Sequence, residues 1–126
     1  MTMMQKTTAR AWISAAACAL ALAGNAAHAQ TAEQTKKLVA TGVQFAASDA
    51  HVSMALCGAD AKRVEEMKAK AKREFADDPN FEADWARGWQ AAQRTITGAN
   101  EVKAKNPSEY ASTREDICRD AMAPKS

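Results

Sequence analysis

The sequence is short of the residues and motifs that most enzyme chemistry requires. Its 126 residues include two histidines and three cysteines. It has no Cys-x-x-Cys pair, the motif of thiol exchange and haem attachment. It also has no glycine-rich phosphate loop, no His-Glu-x-x-His zinc motif and no Gly-x-Ser-x-Gly nucleophile turn. These absences exclude the usual signatures of catalysis. We therefore expect a protein that is not an enzyme and that has no catalytic residue and no cofactor.

The paired carboxylates of the sequence are poorly placed for catalysis. Glu82 and Asp84 lie two positions apart, and Glu115 and Asp116 are adjacent. A glycosidase needs two carboxylates that face each other across a cleft, whereas these are predicted to lie on exposed helix faces. His51 could act as a general base, but no nucleophile motif accompanies it. Both acidic pairs are therefore interpreted as hydrated surface.

Acidic residues are missing from the first 32 positions. The chain starts instead with Lys6 and Arg10, followed by an uncharged apolar run that is too short to span a bilayer comfortably. The run ends at Ala27-His28-Ala29, which has the small-x-small pattern of a signal peptidase site. This combination is typical of a secretory signal.

We therefore predict that residues 1–29 are a signal peptide, cleaved between Ala29 and Gln30. The mature chain, residues 30–126, is then a single helical domain in the periplasm or outside the cell. Two alternatives stay open for the start of the chain. It forms an N-terminal core helix, or a lipid attached to Cys18 anchors the protein to a membrane surface.

Cleavage would leave the protein formally neutral. The whole chain has 17 basic and 15 acidic residues, and Lys6 and Arg10 would leave with the signal, so 17 − 2 = 15 basic residues remain. A neutral domain gives no electrostatic reason to expect nucleic acid as a partner. No further apolar run is long enough to cross a bilayer, so we expect no membrane span in the mature chain.

Two cysteines remain after cleavage, Cys57 and Cys118. An even number of cysteines in an oxidising compartment predicts a disulfide between them. The long loop that this bond would close corresponds to a stabilisation of roughly 4 kcal/mol. A domain of about 100 residues has a marginal core, so this bond is expected to supply a large share of its stability.

A metal site is the alternative role for Cys57, because His51 and Met54 precede it at intervals of three residues. Such ligands suit copper or zinc. On a straight helix, however, residues six apart are separated by about 9 Å along the axis and about 120° around it. His51 and Cys57 therefore cannot share one ion, and we expect no metal.

The mature chain shows no strand-like alternation of apolar and polar residues, and its apolar positions recur at helical spacing. Local signals mark the ends of helices. Gly58 and Gly98 are expected to stop a helix, and Asp60 and Asn106 are expected to cap one. The predicted helices cover residues of about 31–57, 60–76, 79–97 and 107–122. The expected fold class is all-α, a small antiparallel bundle of three to four helices stapled by one disulfide.

The first predicted helix has one broad apolar side, which Asp49 interrupts. A kink or break near Ser48-Asp49 is therefore plausible. The apolar side consists of Leu38, Val39, Val43, Phe45, Ala46, Val52, Leu56 and Cys57.

The third predicted helix has a narrower apolar stripe that contains Trp85 and Trp89, with Gly88 between them. A glycine inside a helix costs about 1 kcal/mol relative to alanine and usually has a packing reason. One interpretation is a core stripe that a neighbouring helix approaches closely at Gly88. The alternative is that Trp85, Gly88 and Trp89 form an exposed face that binds a partner or a ligand.

The second predicted helix carries many lysines and arginines between residues 62 and 73, interspersed with glutamates. Its charges are spread around the helix, and Glu66 and Lys70 have the favourable i,i+4 order. We interpret this segment as a solvated outer face. A docking site for an acidic partner is the alternative.

The predicted layout favours a protein that acts by binding another protein. An exported helical domain of about this size with one cysteine pair resembles small periplasmic chaperones of the acid-stress type; the resemblance is one of layout and rests on no motif. The leading hypothesis is a non-catalytic helical protein that acts through contact with another periplasmic protein. The alternatives are a periplasmic stress or acid chaperone and a small-ligand or metal carrier with a pocket beside Trp85 and Trp89 or an ion near Met54.

Overall fold

The computed structural model describes residues 30–123, and within this range it contains four helices and no strand. We number the helices α1 (Ala32–Leu56), α2 (Ala61–Glu74), α3 (Phe81–Lys105) and α4 (Pro107–Met122). The helices from Glu33 onward belong to one compact unit. The predicted all-α fold is therefore confirmed. The predicted signal peptide, residues 1–29, and its cysteine, Cys18, lie outside the described residues. None of the helices in the described range is long and apolar enough to cross a membrane.

Several helix ends follow from local chemistry as predicted. Gly58 has a φ of 74°, the left-handed conformation that glycine adopts at little cost just after a helix. The carboxylate of Asp60 accepts a hydrogen bond from the backbone N–H of Arg63 at 2.8 Å. The side chain of Asn106 accepts one from the N–H of Glu109 at 3.2 Å. Both side chains satisfy donors that the first turn of a helix leaves without partners.

The third helix differs from the prediction at both ends. It begins at Phe81 because the carboxylate of Asp78 accepts a hydrogen bond from the N–H of Asn80 at 2.9 Å, in a turn that precedes the helix. At the other end, Gly98 was expected to stop the helix, and this was wrong, since α3 continues to Lys105. The extra turns bury Ala99, which is 4% exposed, and this packing offsets the roughly 1 kcal/mol that a helical glycine costs.

The helices run alternately up and down. α2 returns along α1, so that Phe75, next to the end of α2, lies against Gly42. α4 returns along α3, and the Nζ of Lys103 lies 5.5 Å from the ring centre of Tyr110. α1 and α3 therefore point the same way, and they contact each other directly. The Nε2 of Gln44 donates a hydrogen bond to the Oδ1 of Asp84 at 2.9 Å across this contact.

The core has two parts, and α1 contributes to both. The middle of α1, from Val43 to Ala50, packs against α2 and the start of α3, and its end, from Val52 to Leu56, packs against the rest of α3 and against α4. The first cluster contains Val43, Ala47, Ala50, Val64, Ala71, Phe81 and Trp85, and the second contains Val52, Leu56, Ala92, Ile96, Ala99 and Ala121.

Burial on two different sides explains why α1 is continuous. Val52 lies nine residues after Val43, and at 100° per residue the two point in opposite directions from the helix axis. The broad apolar side of the sequence is therefore two narrower sides. Asp49 points about 120° away from Val43 and about 60° away from Val52, so it does not lie on the first of these two sides. The break considered near Ser48-Asp49 is absent, and α1 runs unbroken through both residues.

The predicted disulfide between Cys57 and Cys118 is present, with a Cα–Cα distance of 5.6 Å, inside the usual range. Cys57 follows α1 directly, and Cys118 lies in α4. One turn before Cys118, the Nε of Arg114 donates a hydrogen bond to the backbone oxygen of Leu56 at 2.6 Å. The bond and the arginine together attach α4 to the end of α1.

An exposed carboxylate links α2 to α3. The Oε2 of Glu82 accepts a hydrogen bond from the Nζ of Lys68 at 2.7 Å, and its Oε1 lies 3.5 Å from the Nζ of Lys72. The hydrogen bond from Lys68, followed by the attraction of both ammonium charges, lowers the pKa of Glu82 below its ordinary value of 4.5. A lowered pKa in the folded state means that the ionised carboxylate stabilises the fold above pH 4.5, and that this contribution is lost as the pH falls through the folded-state pKa.

We therefore expect Glu82→Gln to lower the urea midpoint slightly at pH 7 and to have progressively less effect as the pH falls below 4.5, because the carboxylate then becomes protonated and loses its attraction to the two lysines. Urea unfolding at a series of pH values between 7 and 3 measures this. Glu101→Gln, at an exposed position of the same helix, is the control. Equal effects of the two substitutions at every pH would show that the lysine pair gives Glu82 no special role.

Candidate functional site

The structure places Trp85 and Gly88 inside the bundle. Trp85 is 7% exposed, and its ring lies 5.9 Å from that of Phe81. A Cβ atom added to Gly88 would lie 2.5 Å from the Cα of Gln44 and closer still to its carbonyl oxygen, so α1 and α3 touch here backbone to backbone. The predicted packing reason for this glycine is confirmed. Of the possible partner face at Trp85, Gly88 and Trp89, the first two residues are therefore buried in the bundle, and Trp89 is partly exposed.

Trp89 is half-buried and is paired with the histidine of α1. The rings of His51 and Trp89 stack with centroids 4.1 Å apart and an angle of 4° between their planes. The Nδ1 of His51 lies 2.7 Å from the backbone oxygen of Trp89, so the tautomer with a proton on Nδ1 donates to that oxygen. His51 therefore joins α1 to α3. Sequence spacing gave no sign of this pair, because the two residues lie 38 positions apart.

The ligand set considered for a metal is not brought together. Cys57 is bonded to Cys118 and has no thiolate to offer, and Met54 is exposed on α1. Within residues 30–123, no three histidine, cysteine, aspartate or glutamate side chains are grouped in a way that could hold a metal ion.

One acidic residue interpreted as hydrated surface is buried instead. Asp84 is 3% exposed, and its Oδ1 accepts hydrogen bonds from Gln44 at 2.9 Å and from the Nη1 of Arg87 at 3.0 Å. A buried carboxylate needs such donors, because it has lost its hydration. Asp84 lies beside Trp85 and helps to fix α3 against α1. It is a structural residue of the helix contact.

The basic residues of α2 are balanced locally by carboxylates. The Nζ of Lys70 lies 2.7 Å from the Oε1 of Glu74, and the Nη1 of Arg63 lies 3.6 Å from the Oε2 of Glu66. Lys68 and Lys72 both reach Glu82 on α3. These pairs are largely exposed, and each contributes little to stability. The arrangement supports the interpretation of α2 as a solvated face.

Two large apolar side chains are exposed on one face of α1. Phe45 is 68% exposed and Leu38 is 57% exposed, and both were predicted to belong to the apolar core side. Phe45 lies about 160° around the helix from Val43 and from Ala47, which point into the core. We call the surface formed by Leu38 and Phe45 the outer face of α1.

The outer face of α1 is the uncovered end of a longer apolar row. At 100° per residue, Leu38, Phe45, Val52 and Leu56 all point within about 40° of one another. Val52 and Leu56 are each 5% exposed because α3 and α4 cover them. α4 ends beside the middle of α1, so Leu38 and Phe45 remain in water. A helical wheel finds this row, but it does not show where the covering helix ends.

A cleft of about 160 Å³ opens beside the outer face of α1, between α2 and the end of α4. Its floor is apolar and is formed by Ala46, Met67, Ala71, Ala121 and Met122. A small-ligand carrier was expected to have a pocket beside Trp85 and Trp89, and this cleft is lined by neither of them. The volume is that of a site for one side chain or a very small molecule, since an apolar cavity of about 150 Å³ accepts benzene.

Comparisons with known proteins do not assign this chain to a family. No protein-family model, no curated protein and no solved structure matches it. The functional argument therefore rests on the residues of the chain itself, and above all on the outer face of α1 and the cleft beside it.

Proposed function

We propose that the chain is a small exported, non-catalytic helical protein that acts by binding another protein through the outer face of α1. The observation that supports this most directly is the exposure of Leu38 and Phe45, two large apolar side chains on one helix face. Single exposed apolar residues are common on proteins and need no explanation. Two of them in line, at the end of a row that the fold otherwise buries, form a surface suited to a partner.

One side of the outer face of α1 also resembles the centre of a protein interface. Gln34, Thr41 and Ser48 flank the outer face on one side, and none of them carries a charge. The centres of interfaces are poor in charge and rich in aromatic residues, which supply most of the binding energy when a partner covers them. The proposal places Phe45 at that centre.

Export is the second part of the proposal, and two features support it. The start of the sequence has the pattern of a secretory signal, and the disulfide between Cys57 and Cys118 is of the kind that persists in oxidising compartments. We propose a periplasmic location, or secretion, for the chain that follows Ala29.

A stress chaperone is the second candidate, because an exposed apolar face also suits the binding of unfolded chains. Protonation of Glu82 in acid weakens its ion pairs with Lys68 and Lys72, which join α2 to α3. A chaperone of this kind suppresses the aggregation of a denatured client at acidic pH, and Phe45→Ala weakens the suppression. A protein that binds one folded partner does not suppress aggregation at any pH. Light scattering of a client at pH 3 and pH 7 separates the two candidates.

The proposed function is tested by cross-linking in cells that export the protein. A photoreactive phenylalanine analogue replaces Phe45, and in a matched control it replaces Met54, which is 41% exposed and lies about 180° around the same helix. We expect one discrete cross-linked species from position 45 and at most about a tenth as much from position 54. No discrete species from position 45, or equal yields from both positions, would reject the outer face of α1 as the binding surface.

A further inference from the structure

We propose that the partner of the outer face of α1 is a second copy of this chain, with Phe45 of each copy seated in the cleft of the other. This inference rests on the proposed function, because it names the partner of the same surface. It depends on three observations: the position of the cleft relative to Phe45, the size and lining of the cleft, and the charges at its edge.

Phe45 and the cleft lie side by side on one surface. α1 contributes Ala46 and Asp49 to the wall of the cleft. Asp49 lies one turn beyond Phe45, about 6 Å along the helix axis and about 40° around it. A symmetric dimer uses the same patch on both copies, so that residue i meets residue j and j meets i. Because Phe45 projects beside the cleft of its own copy, each copy can insert its ring into the cleft of the other under such symmetry.

The cleft matches a phenyl ring in size and chemistry. At about 160 Å³ it is close to the cavity size that accepts benzene, and its floor is made of alanine and methionine side chains. Met67 and Met122 are unbranched and adapt to the shape of an aromatic ring. Arg63 and Lys70 stand at the edge, where a cation can lie over the face of an aromatic ring.

The charges around the surface suit a second copy of the same chain. The lining of the cleft includes two anions, Asp49 and Glu74, and two cations, Arg63 and Lys70, and within one copy Lys70 pairs with Glu74 and Arg63 with Glu66. Such a patch carries no excess of either sign and does not repel its copy, whereas a patch of one sign would. The chain after residue 29 carries as many acidic as basic residues, so the two copies also lack a long-range repulsion.

Sedimentation equilibrium of the exported, disulfide-bonded protein tests the inference. We expect a reversible monomer–dimer equilibrium, with association weakened at least about tenfold by Phe45→Ala. Met122→Glu, which places a charge at the floor of the cleft from a half-exposed position, is expected to weaken it to a similar degree. Met54→Glu on the opposite side of α1 is the control and leaves the equilibrium unchanged. Circular dichroism verifies that each variant is folded.

Mixing the two weakened variants provides the sharper test. Phe45→Ala keeps an intact cleft and Met122→Glu keeps an intact Phe45, so the mixture regains one of the two reciprocal contacts. The mixture should associate more tightly than either variant alone, which a general loss of surface hydrophobicity does not explain. A wild-type protein that stays monomeric, a dimer unaffected by Phe45→Ala, or a mixture no tighter than its components would overturn the inference.

The cross-linking experiment separates this inference from the proposed function. A species of twice the chain mass from position 45 supports both. A discrete species of any other mass keeps the proposed function and overturns the second copy as the partner. The absence of any discrete species overturns both.

Discussion

Replacing Cys57 and Cys118 together with serine is expected to lower the free energy of unfolding by about 4 kcal/mol. The bond joins residues 61 positions apart. Without it, the unfolded chain gains the conformational freedom of that long loop. Domains of this size have a total stability of about 5–15 kcal/mol, so this single change removes a large part of it.

Loss of the disulfide should affect α4 more than the other helices, because α4 is packed weakly. Ala121 is the one residue of α4 that is buried, while Tyr110, Ile117 and Cys118 are only partly covered. A helix with so little buried surface depends on its attachment at Cys118 and on the hydrogen bond from Arg114. We therefore expect α4 to exchange its amide hydrogens faster than α3 once the bond is absent.

Urea unfolding at pH 7 and hydrogen exchange of the double variant measure these effects. The wild-type protein with its disulfide reduced is the matched control, and it should unfold at the same urea concentration as the double variant. A loss of stability below about 1 kcal/mol, or uniform exchange across α3 and α4, would show that helix packing alone holds α4 in place.

Gly88→Ala is the second substitution with a large expected effect. Its Cβ atom would overlap the backbone of Gln44, and backbone atoms cannot turn aside as a side chain can. Overpacking of this kind typically costs about 1–3 kcal/mol, occasionally more. This cost exceeds the roughly 1 kcal/mol by which alanine favours a helix over glycine. We therefore expect net destabilisation and a displacement of α1 from α3.

Gly98→Ala in the same helix is the matched control, because a Cβ atom there meets nothing within 4 Å. Only the helix preference of alanine remains, so this variant should be more stable than wild type by up to about 1 kcal/mol. The opposite signs of the two changes are the test, and thermal and urea unfolding of both variants measure them. If Gly88→Ala also stabilised the protein, the close approach at Gln44 would be refuted.

The features that depend on neighbouring residues could be predicted from the amino-acid sequence. Asp60 and Asn106 cap their helices because a short polar side chain reaches the N–H groups three residues ahead. Gly58 ends α1 because glycine adopts a positive φ at little cost. The pairing of Cys57 with Cys118 followed from a count of two in the chain after the predicted signal. The caps and the glycine act on residues a few positions away, and two cysteines can pair in only one way. A single sequence is therefore enough to predict them.

Which apolar residues are covered could not be predicted in this way, because it depends on how the helices pack in three dimensions. Phe45 belongs to the same row as Val52, yet it lies in water because α4 ends before reaching it. Asp84 looks like a surface acid, yet it is buried because Gln44 lies opposite. Each outcome depends on where a distant helix ends or crosses. The residues next to Phe45 or Asp84 in the sequence do not encode the position of that helix. The candidate site arises in the same way, since the cleft exists only where α1, α2 and the end of α4 meet.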